Sequence, residues 1–271
     1  MTLVATGAPS YISRMDDGEI LVEEQAGICR LTLSRPARKN ALTLKMYDEL
    51  ARALGKAAGD PSARVVLVRG AGGSFTSGND LGDFMRSPPS GEDSPVFRFL
   101  AQLVAFEKPL VAQVEGHAIG IGTTLLLHCD LVYASESARL QLPFVNLGLV
   151  PEAASSLLLP RIVGHARAAE LLYFGEPFDA HTAHALGLVN AVLPVEKLAG
   201  EVDARLRKLA EKPPAALRET KRLLKAGAAD DVRARMGLEG ASFVERLRSP
   251  EVAEAIAAFF EKRKPDFSRF A

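Results

Sequence analysis

Two apolar segments of this chain run straight into glycine-rich turns, and that pairing constrains the fold more than any other feature. Val65-Val-Leu-Val68 is a β-branched run of the kind buried on both faces of a parallel sheet, and it stops at a glycine-rich stretch from Gly70 to Gly78. Pro109 to Val114 repeats the pattern. It leads into Gly116 to Gly122 and the apolar run Leu125-Leu-Leu127, after which Leu131-Val-Tyr133 begins another strand. Strand, glycine turn, helix, strand is the order of an α/β core, in which loops at strand ends carry the site. Upstream, Glu19–Gln25 and Ile28–Leu33 are short apolar stretches joined at Gly27, a hairpin pattern. Thr43 is placed to cap a helix with Met46, Leu50, Leu54 and Ala57 on one face, ending near Gly59.

Past residue 195 the pattern changes to helix after helix. Pro213-Pro214 opens one, with Leu217, Thr220 and Leu224 aligned; Ser249 caps another that begins at Pro250 and carries Val252, Ala255, Ile256, Phe259 and Phe260 on one face. A face that apolar has to be buried against a domain or a neighbouring subunit. Three parts are therefore expected: a loose leader over 1–17, a core with the site over 18–195, and a helical region over 196–271.

Composition narrows the function. Lys plus Arg (33) equals Asp plus Glu (33), so the basic excess that neutralises nucleic-acid phosphates is missing. No apolar run approaches the roughly 20 residues of a membrane span, and residues 1–17 lack the basic and apolar regions of a signal peptide. Cys29 and Cys129 are isolated and read as small buried hydrophobes in a reducing compartment. A cytoplasmic protein without nucleic-acid or membrane partners is expected.

Several motifs dissolve on inspection. Gly120-Ile-Gly122 before a helix invites a dinucleotide reading, but Leu125 stands where the third glycine belongs. His181 and His184 share a helix face without a third ligand, so a solvated face is expected and no metal site. Ser77, in Phe75-Thr-Ser-Gly78, is not on a nucleophile elbow. The same two loops suit a different task. Residues Gly120 to Gly122 offer the N–H groups of a helix start with little side-chain bulk, and a second N–H from around Ser77 and Gly78 would complete an oxyanion hole.

Phe75-Thr-Ser-Gly-Asn-Asp-Leu81, Val114-Glu-Gly-His-Ala-Ile-Gly-Ile-Gly122 and His128-Cys-Asp130 resemble the signature blocks of the crotonase superfamily, the enoyl-CoA hydratases and isomerases. Arg35-Pro36 with Asn40-Ala-Leu42, and Ala185-Leu-Gly-Leu-Val-Asn190, agree with it in order and spacing. The resemblance implies an α/β spiral of ββα units with a C-terminal helical trimerisation region, and a homotrimer or a hexamer made of two. It implies an acyl-CoA thioester as substrate, no cofactor apart from the coenzyme A it carries, and an enolate oxygen held by the backbone N–H groups of Ser77 and Ile121. It also implies CoA contacts at Ala41, Leu42, Thr76, Asp80 and Leu81. Lys262, at the basic end of the last helix, reads either as a contact for a CoA phosphate or as a solvated, dipole-favoured helix end.

The glutamates then bear on the reaction. Hydratases of the family resemble one another in two glutamates that handle water; Thr124 and Phe144 occupy those places here. Pro143 to Glu152, followed by Ala153-Ala-Ser-Ser156, is instead similar to the Δ3,Δ2-enoyl-CoA isomerase branch, which implies Glu152 as the single catalytic carboxylate. Leu142, Phe144 and Val150 are expected to form the apolar acyl pocket around it. Glu115 and Asp130 read as structural. The leading expectation is an isomerase that moves a 3-enoyl double bond to the 2-position. The alternatives are a hydratase in which Glu152 activates water alone, and a non-catalytic acyl-CoA-binding subunit in which Glu152 only begins the next helix.

Overall fold

The strands alternate between two sheets, and that alternation builds the repeat. In the computed structural model, which describes residues 19–89, 91 and 93–270, the strands are β1 (Ile20–Gln25), β2 (Ile28–Leu33), β3 (Val65–Gly70), β4 (Leu110–Val114), β5 (His117–Ile119), β6 (Leu131–Ser135), β7 (Arg139–Gln141), β8 (Phe178–Asp179) and β9 (Ala191–Leu193). The larger sheet has the order β1-β2-β3-β4-β6-β9, parallel except for the β1–β2 hairpin; β5, β7 and β8 form the smaller one. The expected leader lies outside the described residues.

Helices follow the strand pairs. They are α1 (Leu44–Gly59), α2 (Leu81–Arg86), α3 (Pro95–Ala105), the short turn α4 (Ile121–Thr124), α5 (Ser155–Val163), α6 (His165–Phe174), α7 (Ala180–Ala185), α8 (Val195–Ala210), α9 (Pro214–Lys225), α10 (Ala229–Arg246) and α11 (Pro250–Glu261). The unit β4-β5-α4 and the unit β6-β7-α5 each send one strand to each sheet before the helix. Thr76 makes an isolated parallel bridge to Ala118, so the segment after β3 lies beside β5 as its counterpart in the preceding repeat. This is the expected stack of ββα units.

The continuous apolar strands are explained by burial on both faces. Val66, Val68, Leu110, Ala112, Val132 and Ala134 join the main core with Met46, Leu50 and Leu54 of α1. Their neighbours Val65, Leu67, Val111 and Tyr133 point the other way, onto Leu198, Val202 and Leu206 of α8. So α8, the first helix of the expected helical region, covers the second face of the sheet. Thr43 caps α1 by accepting the Met46 N–H, and Ser249 caps α11 by accepting that of Val252.

The face expected on α9 is not its buried one. Leu224 is 82% exposed, whereas Lys221 is buried, with Nζ 2.7 Å from Asp130 Oδ2 and 5.4 Å from the centre of the Phe106 ring. Asp130 also accepts the Leu110 N–H, so it is structural as expected. On α11, Val252, Ala255 and Ile256 are buried while Phe259 and Phe260 stand exposed. No helix among the described residues is long and apolar enough to cross a membrane.

Candidate active site

Two turns, each following the second segment of a repeat, meet at the site. A methyl group on Gly122 would come 2.6 Å from Thr76 Cγ2, and one on Gly78 would come 2.9 Å from the Ile119 carbonyl oxygen. Only glycine permits that approach. Residues 76–80 and 119–122 are thus in van der Waals contact, as the oxyanion-hole reading requires. The Ile119 N–H donates to the Thr76 carbonyl at 3.1 Å, which locks the contact.

The segment 35–42 braces the first turn. Asn40 is fully buried at a left-handed φ of 56°, and its exposed neighbour Lys39 is also left-handed, at 49°. Its side chain accepts the Arg35 N–H at 2.8 Å and donates to the carbonyls of Ala71 and Ser74 at 2.9 and 2.6 Å, which holds the strained pair in place. The Thr76 hydroxyl donates to the Asn40 carbonyl at 2.7 Å, the Leu42 N–H donates to Gly78, and the Asp80 N–H donates back to Leu42. Asp80 pairs with Arg35 at 2.8 Å and caps α2 at Leu81, while Arg35 also donates to the Ala41 carbonyl at 3.2 Å. Ala41, Leu42, Thr76, Asp80 and Leu81 are therefore gathered in one knot. Lys262 is not part of it; it forms the left-handed C-cap of α11.

The two expected N–H donors differ in state. Ile121 opens α4, where a helix leaves its first N–H groups without an intrahelical acceptor. The Ser77 N–H donates to the Lys39 carbonyl at 2.9 Å. An incoming oxygen has to share or displace that carbonyl.

Glu152 sits against the second turn. It is 9% exposed, and its Oε1 accepts a short hydrogen bond from the Thr124 hydroxyl, three residues after Ile121. Burial pushes the carboxyl up to about 8; the Thr124 bond opposes this, and the charge of Glu239 adds to it. The turn that follows is held from several sides. Ser155 donates its hydroxyl to the Glu152 carbonyl at 2.6 Å, and Ala153 and Ala154 both adopt left-handed conformations at 57° and 56°. His128 lies 2.7 Å from the Ala153 carbonyl through Nε2, which must carry the proton because a carbonyl only accepts. Burial lowers this histidine to about 4, so it is neutral at physiological pH.

A cavity opens beside Glu152. Tyr47, Phe84, Phe97, Leu100, Met236 and Phe243 supply most of its lining, with Asn79 and the backbone turn at Ala153. Tyr47 is fully buried and donates to Asn79 Oδ1 at 2.5 Å; burial, then the Glu152 charge, raises its phenol well above the ordinary value. Since Asn79 follows Ser77 by two residues, the cavity spans from the first turn to Glu152. Leu142, Phe144 and Val150 do not line it. Leu142 and Phe144 are packed into the main core and Val150 lies against it. The apolar wall comes instead from α1, α2, α3 and α10, and the spacing of Met236, Gly240 and Phe243 on α10 is the one sequence signal that points to it.

The match to known proteins agrees with this geometry. The enoyl-CoA hydratase/isomerase family profile matches residues 23–269. Enoyl-CoA delta isomerase 2 of Rattus norvegicus is 39% identical over 91% of this chain, which spans 64% of that protein's length. The 2,3-dehydroadipyl-CoA hydratase of Escherichia coli is 34% identical, with 92% of this chain and 98% of that one covered. Among solved structures, an enoyl-CoA hydratase/isomerase from Pseudoalteromonas atlantica superposes with a TM-score of 0.88 at 44% identity, covering 92% of this chain and 99% of that one. Fold and site together define a crotonase. The chain belongs to the enoyl-CoA hydratase/isomerase family, and the names within it include both isomerases and hydratases.

Proposed function

We propose that this enzyme converts 3-enoyl-CoA thioesters to their 2-enoyl isomers, with Glu152 as the proton carrier. The observation that carries the reading is a single carboxyl on the cavity wall, bonded to Thr124 at the place where a second carboxylate would stand in a hydratase. In the first step the C2–H bond breaks and Glu152 takes the proton, while the electron pair delocalises onto the thioester oxygen. The N–H groups of Ile121 and, once the Lys39 carbonyl gives way, Ser77 stabilise that oxyanion. In the second step the same carboxyl returns the proton to C4, and the double bond settles between C2 and C3. A carboxyl raised to about 8 suits both halves, as an effective base when ionised and an acid when protonated.

The lining also selects a tail. Among the described residues that line the cavity there is no lysine, arginine or histidine, and its one carboxylic acid is Glu152. An unsubstituted hydrocarbon chain fits such walls, whereas a carboxylate at the chain end would be buried without a partner. The test is to supply a 3-enoyl-CoA, the matching 2-enoyl-CoA, and a 3-enoyl-CoA with a terminal carboxylate, following conjugation and hydration. Rapid conjugation of the first substrate, little hydration of the second and poor turnover of the third are expected. Hydration of the 2-enoyl thioester without any shift of the 3-enoyl bond would identify a hydratase. Binding of all three without turnover would identify a carrier.

A further inference from the structure

A second buried carboxyl stands behind the first, and the reaction as written does not use it. Glu239, on α10, is 6% exposed. Its Oε1 accepts the Ser156 N–H at 2.9 Å. Its Oε2 is buried with no hydrogen-bond partner among the described residues. A carboxyl oxygen is seldom left in this condition, because burying it unpaired carries the full desolvation penalty of the group.

The backbone it grips explains the placement. Ala154 and Ser156 belong to the left-handed turn through which Glu152 enters α5, and neither of the two alanines in that turn holds such a conformation cheaply. Glu239 ties this turn to α10, whose Met236, Gly240 and Phe243 form part of the cavity wall. Burial raises the Glu239 carboxyl above its ordinary value; the hydrogen bonding at Ser156 opposes this, as does the charge of Arg235, one turn earlier on α10 and 3.2 Å from the Ser156 hydroxyl. The other titratable groups around the turn are the protonated Tyr47 of α1 and the neutral His128 following α4.

We propose that Glu239 is a positioning residue for Glu152: it clamps the Glu152–Ser156 turn through the Ser156 N–H and sets a second buried carboxyl, negative when ionised, behind the reacting one. The charge disfavours an ionised Glu152 and thereby makes it a stronger base, in the direction already set by burial. This inference rests on Glu152 being the proton carrier.

Two variants separate the clamp from the charge. Glu239→Gln keeps an oxygen to accept the Ser156 N–H and removes the charge; Glu239→Ala removes both. For Glu239→Gln we expect KM within about twofold of wild type and the acid limb of the kcat profile displaced downward by roughly half a pH unit or more. Glu239→Ala is expected to show the same displacement with kcat lower by about tenfold or more, through loss of geometry. An infrared titration of the substrate-free protein, reading the carboxylic band that disappears in Glu152→Gln, should show the same downward shift. That arm requires no turnover, so it stands even where Glu152 proves not to carry the proton. A Glu152 titration unchanged in Glu239→Gln overturns the proposal and leaves Glu239 a structural cap of α5.

Discussion

Replacing Glu152 by glutamine is expected to lower 3-enoyl-CoA isomerisation by about 10²–10⁴-fold, with KM changed far less, because the amide keeps the shape and the Thr124 contact but neither accepts nor returns a proton. The same substitution should change the pH dependence of stability. A carboxyl whose folded-state value is raised to about 8, from an ordinary value near 4.5, favours the native state below the lower figure and loses that advantage as pH rises through the higher one. At pH 9 the native wild type has to hold a buried charge that glutamine spares it. Glu152→Gln should therefore be more stable than wild type at pH 9, by up to about 4 kcal/mol, with the difference shrinking as pH falls towards 5. Chemical denaturation at the two pH values, beside steady-state turnover, measures both effects. Retained turnover together with parallel stability curves would return Glu152 to a structural role at the start of α5.

The second large effect is expected at Gly78. Its φ of +91° is one that alanine adopts only under strain, and the added methyl would lie 2.9 Å from the Ile119 carbonyl oxygen. That carbonyl belongs to the strand end immediately before the Gly120–Ile121 turn, so it cannot retreat without moving the second N–H donor. Gly78→Ala should reduce kcat/KM by about 10²-fold, the scale associated with an ångström of misplacement in a reacting geometry. It should also reduce stability by about 1–3 kcal/mol through backbone strain. Gly91→Ala is the control: its φ is +77°, but the added methyl meets nothing within 4 Å. It should carry some strain and leave kcat/KM near wild type. Equal kinetics for Gly78→Ala and wild type would show that the two turns do not have to converge for catalysis.

These effects also indicate how far the primary structure could be read. The strands were legible because both faces of the larger sheet are covered, which turns Val65 to Val68 and Leu110 to Val114 into unbroken apolar runs. The start of α1 was legible because Thr43 is a local signal, satisfied within three residues. The two glycine turns were legible for a similar reason, as each is a short segment with a local steric demand. Their convergence was not, since it depends on β3 and β4 pairing in register.

The two backbone turns and Glu152 of the candidate site were legible, whereas the side chains packed around Glu152 were not. Thr124 read as an absence of carboxylate, yet it is the donor to Glu152, 28 residues away in sequence. Leu142, Phe144 and Val150, the residues expected at the acyl pocket, are outside the cavity beside Glu152, whose wall comes from α1, α2, α3 and α10, brought together only by tertiary packing. Lys221 and Leu224 illustrate the same limit on α9. Periodicity favours the leucine as the buried residue, but an ion pair with Asp130 and the Phe106 ring turn the helix so that the lysine is inside.

In the proposed reaction one carboxyl moves one proton between two carbons of a bound thioester. The most direct measurement follows the isotope itself: a 3-enoyl-CoA deuterated at C2 is converted in ordinary water in a single turnover, and the 2-enoyl product is examined for deuterium at C4. A buried Glu152 that shuttles the proton without handing it to solvent predicts that a measurable fraction of the label arrives at C4. Product with no label at C4, the deuterium lost wholly to water, would contradict transfer by a single enclosed carboxyl.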